Sequence, residues 1–476
     1  MAKKNSKKIS LGHIPTLLLW VVVLGLTLVR VLVACSGSLG ETEALLVVCG
    51  AHPAGGYLEG ACGLPLLVAL ALSAKSLFGG SALIVLRCLS PVALLLLSWS
   101  LWLIARRLAP HRPAVALWSV VGVNFLPWIN LASLVMDGAM ITASLTLLCI
   151  VAGWNAVDSS AMKGKQTSVP LLPWLYFGII LGVSTLFCYS VGSLLPVALA
   201  FRLRLQGTKG FPWKGGLIAL VCLVLGGITP LIWNLRHDWI QWSSVAREFE
   251  CYTIYGCEFS LTLVVVVSCL LVPPLVFLAS SGIWWRRGMT LLLLMMGVTS
   301  AWVLAFPSQL PMPMLMGSPS SLGVQGTGEL AATLLSLQKE YVDAKGARPF
   351  LIAQTSGLAA LLGEKITLSY PERPGAPSVF VAESPSMNSS YALWPSYADS
   401  VAPAVKDMGY TEEKVVSPFL GRNALYITTE AQNELPQTIT GAFGAVALLK
   451  EVPLIENGQA EIIRVYQCEA YRSLSL

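Results

Sequence analysis

Residues 14–34 read IPTLLLWVVVLGLTLVRVLVA, an apolar run led in by Lys3, Lys4, Lys7 and Lys8. A helix rises 1.5 Å per residue, so about 20 such residues cross the ~30 Å hydrocarbon core of a bilayer. The run is longer than the apolar part of a signal peptide, and no small-x-small cleavage site closes it, so it reads as a retained first span. Comparable runs recur at about 81–105, 113–132, 138–155, 171–187, 189–204, 215–233, 259–282 and 289–306. The fold class expected is a polytopic α-helical membrane protein of about nine spans. The stretch 171–204 reads as two spans or as one long kinked element, and the parity of the span count turns on it.

Composition separates two zones. The 476-residue chain is 55% hydrophobic and 12% charged, with a mean hydropathy of +0.70; soluble chains carry about 25% charged residues. The deficit belongs to residues 1–307. From 308 to 476 charged and amide residues are evenly scattered, and a C-terminal soluble α/β domain is expected. Within it Gly328–Lys345 and Tyr397–Met408 read as helices, and Phe350–Ala353, Ile366–Tyr370, Ser378–Ala382, Ala424–Thr428 and Ile462–Tyr466 as strands. The net charge of +6 is spread over short loops with no basic patch among aromatics, which argues against a nucleic-acid partner. The 11 cysteines show no CxxC pair and no zinc-ligand spacing. Cys88, Cys149, Cys222 and Cys269 read as packing residues, while Cys251 with Cys257, or Cys49 with Cys62, are disulfide candidates if their loops meet an oxidising space. No P-loop, HExxH or nucleophile-elbow pattern marks a soluble-type active site.

The basic residues orient the spans. With the N-terminus inside, the inner segments hold Lys3, Lys4, Lys7, Lys8, Arg106, Arg107, Arg112, Lys163, Lys165, Arg202, Arg204, Lys209, Lys214, Arg286 and Arg287, against Lys75, Arg236 and Arg247 outside. That asymmetry of about 15 to about 3 follows the positive-inside rule and places the C-terminal domain outside. The first outer loop, residues 35–80, is too long for a connector; its apolar stretches Ala44–Val48 and Leu64–Leu72 are too short to span and read as helices on the membrane surface. It carries Glu41, Glu43, His52, Glu59 and Lys75. Asp137 opens the fourth span at the same face, and Pro230 to Trp239 closes the seventh. Acids near hydrocarbon are functional candidates, with snorkelling interfacial residues as the alternative.

These residues resemble the GT-C membrane glycosyltransferases, the dolichyl-phosphate-mannose–protein mannosyltransferase-like group that includes bacterial lipid A aminoarabinose and galacturonic acid transferases. Glu43-Ala44, His52 and Gly56-Tyr57-Leu58-Glu59 are similar to that family's first outer loop, Arg87 to an arginine of its second span, and Met136-Asp137 to its Thr-Pro-Asp segment. Pro230, Trp233-Asn234, His237 and Trp239 match its Pro-x-x-Trp-Asn-x-x-His-x-Trp pattern. Tyr391–Pro395 and Gly421–Tyr426 look like its C-terminal outer domain. The loop-start Asp of the family falls on Thr42, and its Lys-Tyr near the sixth span reads Cys188-Tyr189.

The resemblance implies a polyprenyl-phosphate-linked sugar as donor and a lipid, glycan or protein as acceptor, in a bacterial inner membrane with the C-terminal domain periplasmic. Such a transfer needs a carboxylate to take the acceptor's proton and cations to hold the leaving phosphate. Glu43 and Glu41 are the candidate bases, with Asp137 and Glu59 as further acids. Arg236, His237 and Arg87 are the phosphate-side candidates, and His52, Tyr57 and Asn234 the positioning ones. No metal ligand set is expected; a divalent cation is the one cofactor left open. Two other readings stand beside this one: a non-catalytic relative that binds polyprenyl lipid or supports a partner enzyme, suggested by Thr42 and Cys188, and a transporter, against which the acids gather at one face and no internal repeat is seen.

Overall fold

The computed structural model describes residues 14–36, 39–78, 82–136, 138–161, 171–206, 212–241, 261–280, 282–305, 324–342, 346–384, 389–399, 417–456 and 459–473. Asp137, Arg247, Cys251 and Cys257 lie outside them. Among the described residues twelve helices precede the C-terminal domain: α1 (Ile14–Ser36), α2 (Glu41–Ala51), α3 (Gly63–Phe78), α4 (Ala82–Leu108), α5 (Pro113–Asn124), α6 (Pro127–Ala132), α7 (Ala139–Ala161), α8 (Leu171–Thr185), α9 (Leu194–Gln206), α10 (Trp213–Arg236), α11 (Leu261–Ala279) and α12 (Ile283–Ala305).

Among the described residues six helices are long and apolar enough to cross a membrane: α1, α4, α7, α10, α11 and α12. The expectation of about nine spans is therefore met by six, with the rest shorter. The run 113–132 is broken: α5 ends at Asn124, and Pro127, with no N–H to donate, opens α6. The run 171–204 is broken as well, at residues 186–188 and a 3₁₀ turn, Tyr189–Ser193. Contacts decide how the chain passes that second break. Along α8 and α10, Trp174 meets Gly215, Gly178 meets Ala219, and Gly182 meets Cys222 and Gly226, so these two helices run the same way. Gly192, just before α9, meets Leu223, and Leu199 of α9 meets Gly216, so the chain runs back antiparallel to α10. The stretch is two opposed elements rather than one kinked helix. Where α8 crosses α10, glycines bring the backbones into contact, the small-residue packing usual between helices that gain nothing by burying apolar surface from lipid.

The break at Phe125–Leu126 frees backbone groups inside the bundle, and in hydrocarbon such groups need protein partners. Arg30 of α1, fully buried, supplies them. Its Nε and Nη2 donate to Asn130 Oδ1 at 2.9 and 2.7 Å, Nη1 to Asn124 Oδ1 at 3.0 Å, and Nη2 to the Asn124 carbonyl at 3.0 Å. Asn130 Nδ2 donates to the carbonyls of Asn124 and Leu126, at 2.9 and 3.0 Å, and Asn124 Nδ2 donates to Ser98 Oγ at 2.9 Å.

The C-terminal domain is a six-stranded sheet in the order β1 (Val324–Gln325), β5 (Phe443–Glu456), β6 (Gln459–Tyr471), β4 (Ala424–Thr428), β2 (Phe350–Ala353), β3 (Phe380–Val381). β4, β2 and β3 are parallel; the other pairs are antiparallel. Side chains alternate across the sheet. Leu351, Ala353, Leu425, Ile427 and Val465 pack under helices α13 (Thr327–Glu340) and α14 (Ser356–Lys365), while Phe350, Ile352, Tyr426 and Tyr466 face an aromatic cluster with Tyr397 and Phe419. Residues 366–370 are not a strand, and 397–399 are not helical.

Helix α2, expected on a membrane surface, packs between two parts of the molecule. Ala44, Leu45 and Val48 join the core of the C-terminal domain beside α14, and Gly50 lies against Val68 of α3 on the other side. Apolar neighbours on both sides account for a helix with no polar face.

Replacing Arg30 by Met strips the donors from two buried acceptors, Asn124 Oδ1 and Asn130 Oδ1, each worth about 1–3 kcal/mol when left unpaired, while the Asn124 carbonyl keeps Asn130 Nδ2. Thermal unfolding in detergent is expected to show a loss of about 3 kcal/mol or more; an unchanged midpoint would count against this role.

Candidate functional site

Glu43 is the third residue of α2 and is 4% exposed. Its Oε2 accepts from the Gly40 N–H at 3.1 Å, the carboxylate half of a capping box, and from Arg87 Nη2 at 2.5 Å. Its Oε1 accepts from the Met136 N–H at 3.1 Å. Arg87, 6% exposed, also donates Nη1 to the Ala34 carbonyl at 2.8 Å. One turn further along α4, Ser90 Oγ donates to the Val135 carbonyl at 2.9 Å. The pair thus joins the end of α1, the start of α2, α4 and the segment before Asp137. Gly138, just beyond, has φ +86°, and a Cβ there would strike Leu64. The backbone on both sides of residue 137 is fixed.

The other acids of the loop have different partners. Glu41 packs on Gly357, at the N-terminal end of α14, where a Cβ would collide with its carboxylate. A carboxylate there is favoured by the helix dipole. Glu59 accepts from the Ser390 N–H at 2.7 Å, from Ser389 Oγ at 3.0 Å and from Ser390 Oγ, while Ser390 Oγ also takes the Leu58 N–H at 3.0 Å. His52 stacks on Trp394, ring centroids 4.6 Å apart and 27° between planes. Glu41, Glu59 and His52 therefore dock the C-terminal domain. The carboxylates of Glu41 and Glu59, two of the candidate catalytic acids, face that domain and not the Glu43 site.

Tyr57 holds the loop together. Its hydroxyl takes the Ala54 N–H at 2.8 Å and lies 3.0 Å from the Cys49 and His52 carbonyls, and burial pushes its pKa up to about 12, leaving a neutral donor. Cys49 and Cys62 share its buried cluster as free thiols, not as a disulfide.

A second polar group sits at the end of α10. Asn234 Nδ2 donates to the Pro230 carbonyl and to Gln241 Oε1, both at 2.9 Å, and Gln241 Nε2 reaches the Gly60 carbonyl at 2.7 Å. Tyr189 Oη donates to the same Gln241 oxygen at 3.3 Å. Trp233 lies over Gly55 and Gly56, so close that a Cβ on Gly56 would enter its ring. His237 stacks on Trp233 at 4.2 Å and 17°, with Nδ1 2.8 Å from the Trp233 carbonyl. Arg236 is exposed. Asp238 and Trp239 follow with φ of +50° and +57°, an uncommon conformation for a bulky residue and a mark of a backbone held by its surroundings. His237 and Arg236 thus stand at the loop's other end: His52 closes α2 nine residues after Glu43, about 14 Å along the helix. Among the described residues no three His, Cys, Asp or Glu come together as a metal site.

Sequence reasoning passed over Arg30, Ser90 and Gln241. Arg30 carried a signal, a lone cation in an apolar run. An apolar cavity of about 160 Å³ opens between α7, α8 and α9, lined by Gly153, Trp154, Phe177, Val197 and Phe201 among others.

No protein-family model and no curated protein matches this sequence. The fold does have a solved counterpart: ArnT from Cupriavidus metallidurans, crystallised in the apo state, is similar over 95% of this chain and 97% of its own, with a TM-score of 0.51 and 11% identity. At that identity the likeness shows a shared fold, helical bundle and C-terminal sheet domain together.

Removing one partner of a buried ion pair costs about 3–5 kcal/mol, because the other charge is stranded. Glu43→Gln and Arg87→Met are each expected to destabilise on that scale, and the double variant by clearly less than their sum; additive losses in thermal unfolding would show that the two groups do not act as a pair. Glu59→Ala with Trp394→Ala removes charge-assisted bonds worth about 1.5–3 kcal/mol. Amide exchange in α2 and α14 should rise about tenfold or more, and unchanged protection would overturn the docking role.

Proposed function

We propose that the chain is a GT-C-type membrane glycosyltransferase that moves a sugar from a polyprenyl-phosphate donor to a lipid, glycan or protein acceptor at the outer face of a bacterial inner membrane. Two things support the reading: the fold shared with ArnT, a membrane glycosyltransferase, and the meeting of Glu43, Arg87 and the Met136 backbone. The second carries it. A buried carboxylate with both oxygens already bonded is a poor proton acceptor, so Glu43 serves as the anchor that holds the segment before Asp137. Asp137 takes the role of base, accepting the proton of the acceptor nucleophile as it attacks the anomeric carbon. Arg236 and His237 hold the departing phosphate, whose charge grows as the bond breaks. The apolar bundle, with its cavity between α7, α8 and α9, receives hydrocarbon tail.

In proteoliposomes supplied with a labelled polyprenyl-phosphate sugar, Asp137→Asn should lower kcat by about 10²–10⁴ with the donor KM little changed. Arg236→Ala should act mainly on the donor KM. Full turnover in Asp137→Asn would sink the assignment.

One observation favours a second reading, a non-catalytic relative that binds polyprenyl phosphate: the acids Glu41 and Glu59 are taken up in holding the C-terminal domain. Saturable donor binding by the wild type, with no transfer to any acceptor class, would select it.

A further inference from the structure

We propose that Cys35 and Cys88 form a reversible disulfide that clamps the end of α1 to α4. Only the oxidising compartment rests on the outer-face reading above; the pair itself does not. The bond between Arg87 Nη1 and the Ala34 carbonyl, 2.8 Å, brings residue 34 of α1 against residue 87 of α4. The next residue on each helix is a cysteine. The two thiols are neighbours, and neither is fully buried. The neighbouring thiols differ. Cys49 and Cys62 are 2% and 0% exposed and packed around Tyr57, while Cys149 and Cys188 are hydrogen-bonded to Ser184 and Ser190. Mutual proximity and access to a reagent thus coincide at Cys35 and Cys88.

The chemistry is thiol–disulfide exchange with a disulfide-bearing oxidant. One thiolate attacks the oxidant's disulfide, giving a mixed disulfide and releasing the first thiol; the second thiolate displaces the other half. Two protons leave the pair, two electrons reduce the oxidant to two thiols, and one S–S bond of ~2.05 Å is formed by side-chain rotation. The covalent link lies beside the Arg87–Ala34 contact and so holds Arg87 in register with Glu43.

The full-length protein, reduced in detergent and exposed to oxidised glutathione, is quenched with N-ethylmaleimide, digested and analysed by mass spectrometry. The expected product is a peptide joining Cys35 to Cys88, reversed by dithiothreitol and absent from Cys35→Ser and Cys88→Ser. Oxidation should also raise the unfolding midpoint of the wild type by several degrees and leave those two variants unmoved. Maleimide on both cysteines after oxidation, or Cys35 joined to a different cysteine, would overturn the proposal. Quenching intact cells before lysis separates the two readings: a link made readily in detergent but missing in cells removes the outer-face assignment and leaves the pair's chemistry standing.

Discussion

Inside an apolar bundle a buried charge must be paired and hydrogen-bonded, and the Glu43–Arg87 pair shows what that demand does to a chain. To satisfy one carboxylate and one guanidinium, four separate stretches must arrive together: the last turn of α1, the first turn of α2, α4 and the segment at Met136. Arg30 imposes the same demand deeper down, drawing α1 onto the break between α5 and α6. The two arginines lie near each other in the order of contacts, since Ala34, which Arg87 holds, is one helical turn beyond Arg30. Helix α1 is otherwise a lipid-facing rod, with Leu17, Leu18, Val21, Leu28 and Leu32 exposed along it. Its place in the bundle is set by polar contacts as much as by packing.

The membrane class was legible because hydropathy reports apolar length directly. Continuity was not, since a scale that sums apolarity sees no difference between an unbroken helix and one cut at Pro127 whose freed carbonyls are met by Arg30 and Asn130. In the C-terminal domain β2 and β4 were readable as short apolar runs. β5 was not: Gly444, Lys450, Glu451 and Pro453 disturb its alternation, and it is held by a long antiparallel pairing with β6 across a register shift near Leu448. Helix α14 is short and rich in Ala and Gly, a weak local signal that burial on the sheet overrides.

The candidate site divides along the same line. Glu43 and Arg87 could be singled out as ionisable groups beside hydrocarbon, and their pairing is what such groups require. Glu41 and Glu59 gave the same signal, yet their partners, Gly357 and Ser389 with Ser390, lie some three hundred residues away in sequence and look like ordinary surface residues there. A residue's chemistry was visible in the sequence; which of several similar acids faces the bundle was decided by tertiary docking. The Pro230–Trp239 pattern was legible for a related reason, because its parts act locally: Asn234 reaches back to Pro230, His237 stacks one turn back on Trp233, and Trp239 returns its N–H to the Asn234 carbonyl at 2.9 Å.

Helix α2 belongs to two interiors at once, with Gly50 against α3 and Ala44, Leu45 and Val48 completing the core under α14. The seam between the halves of the molecule in space therefore does not follow the change of composition in the chain. A fragment cut at that change would carry its sheet and helices but leave an apolar gap where α2 had been, and the membrane half would be left with a bare greasy helix facing water. Each half completes the other's interior, so neither is a self-contained core.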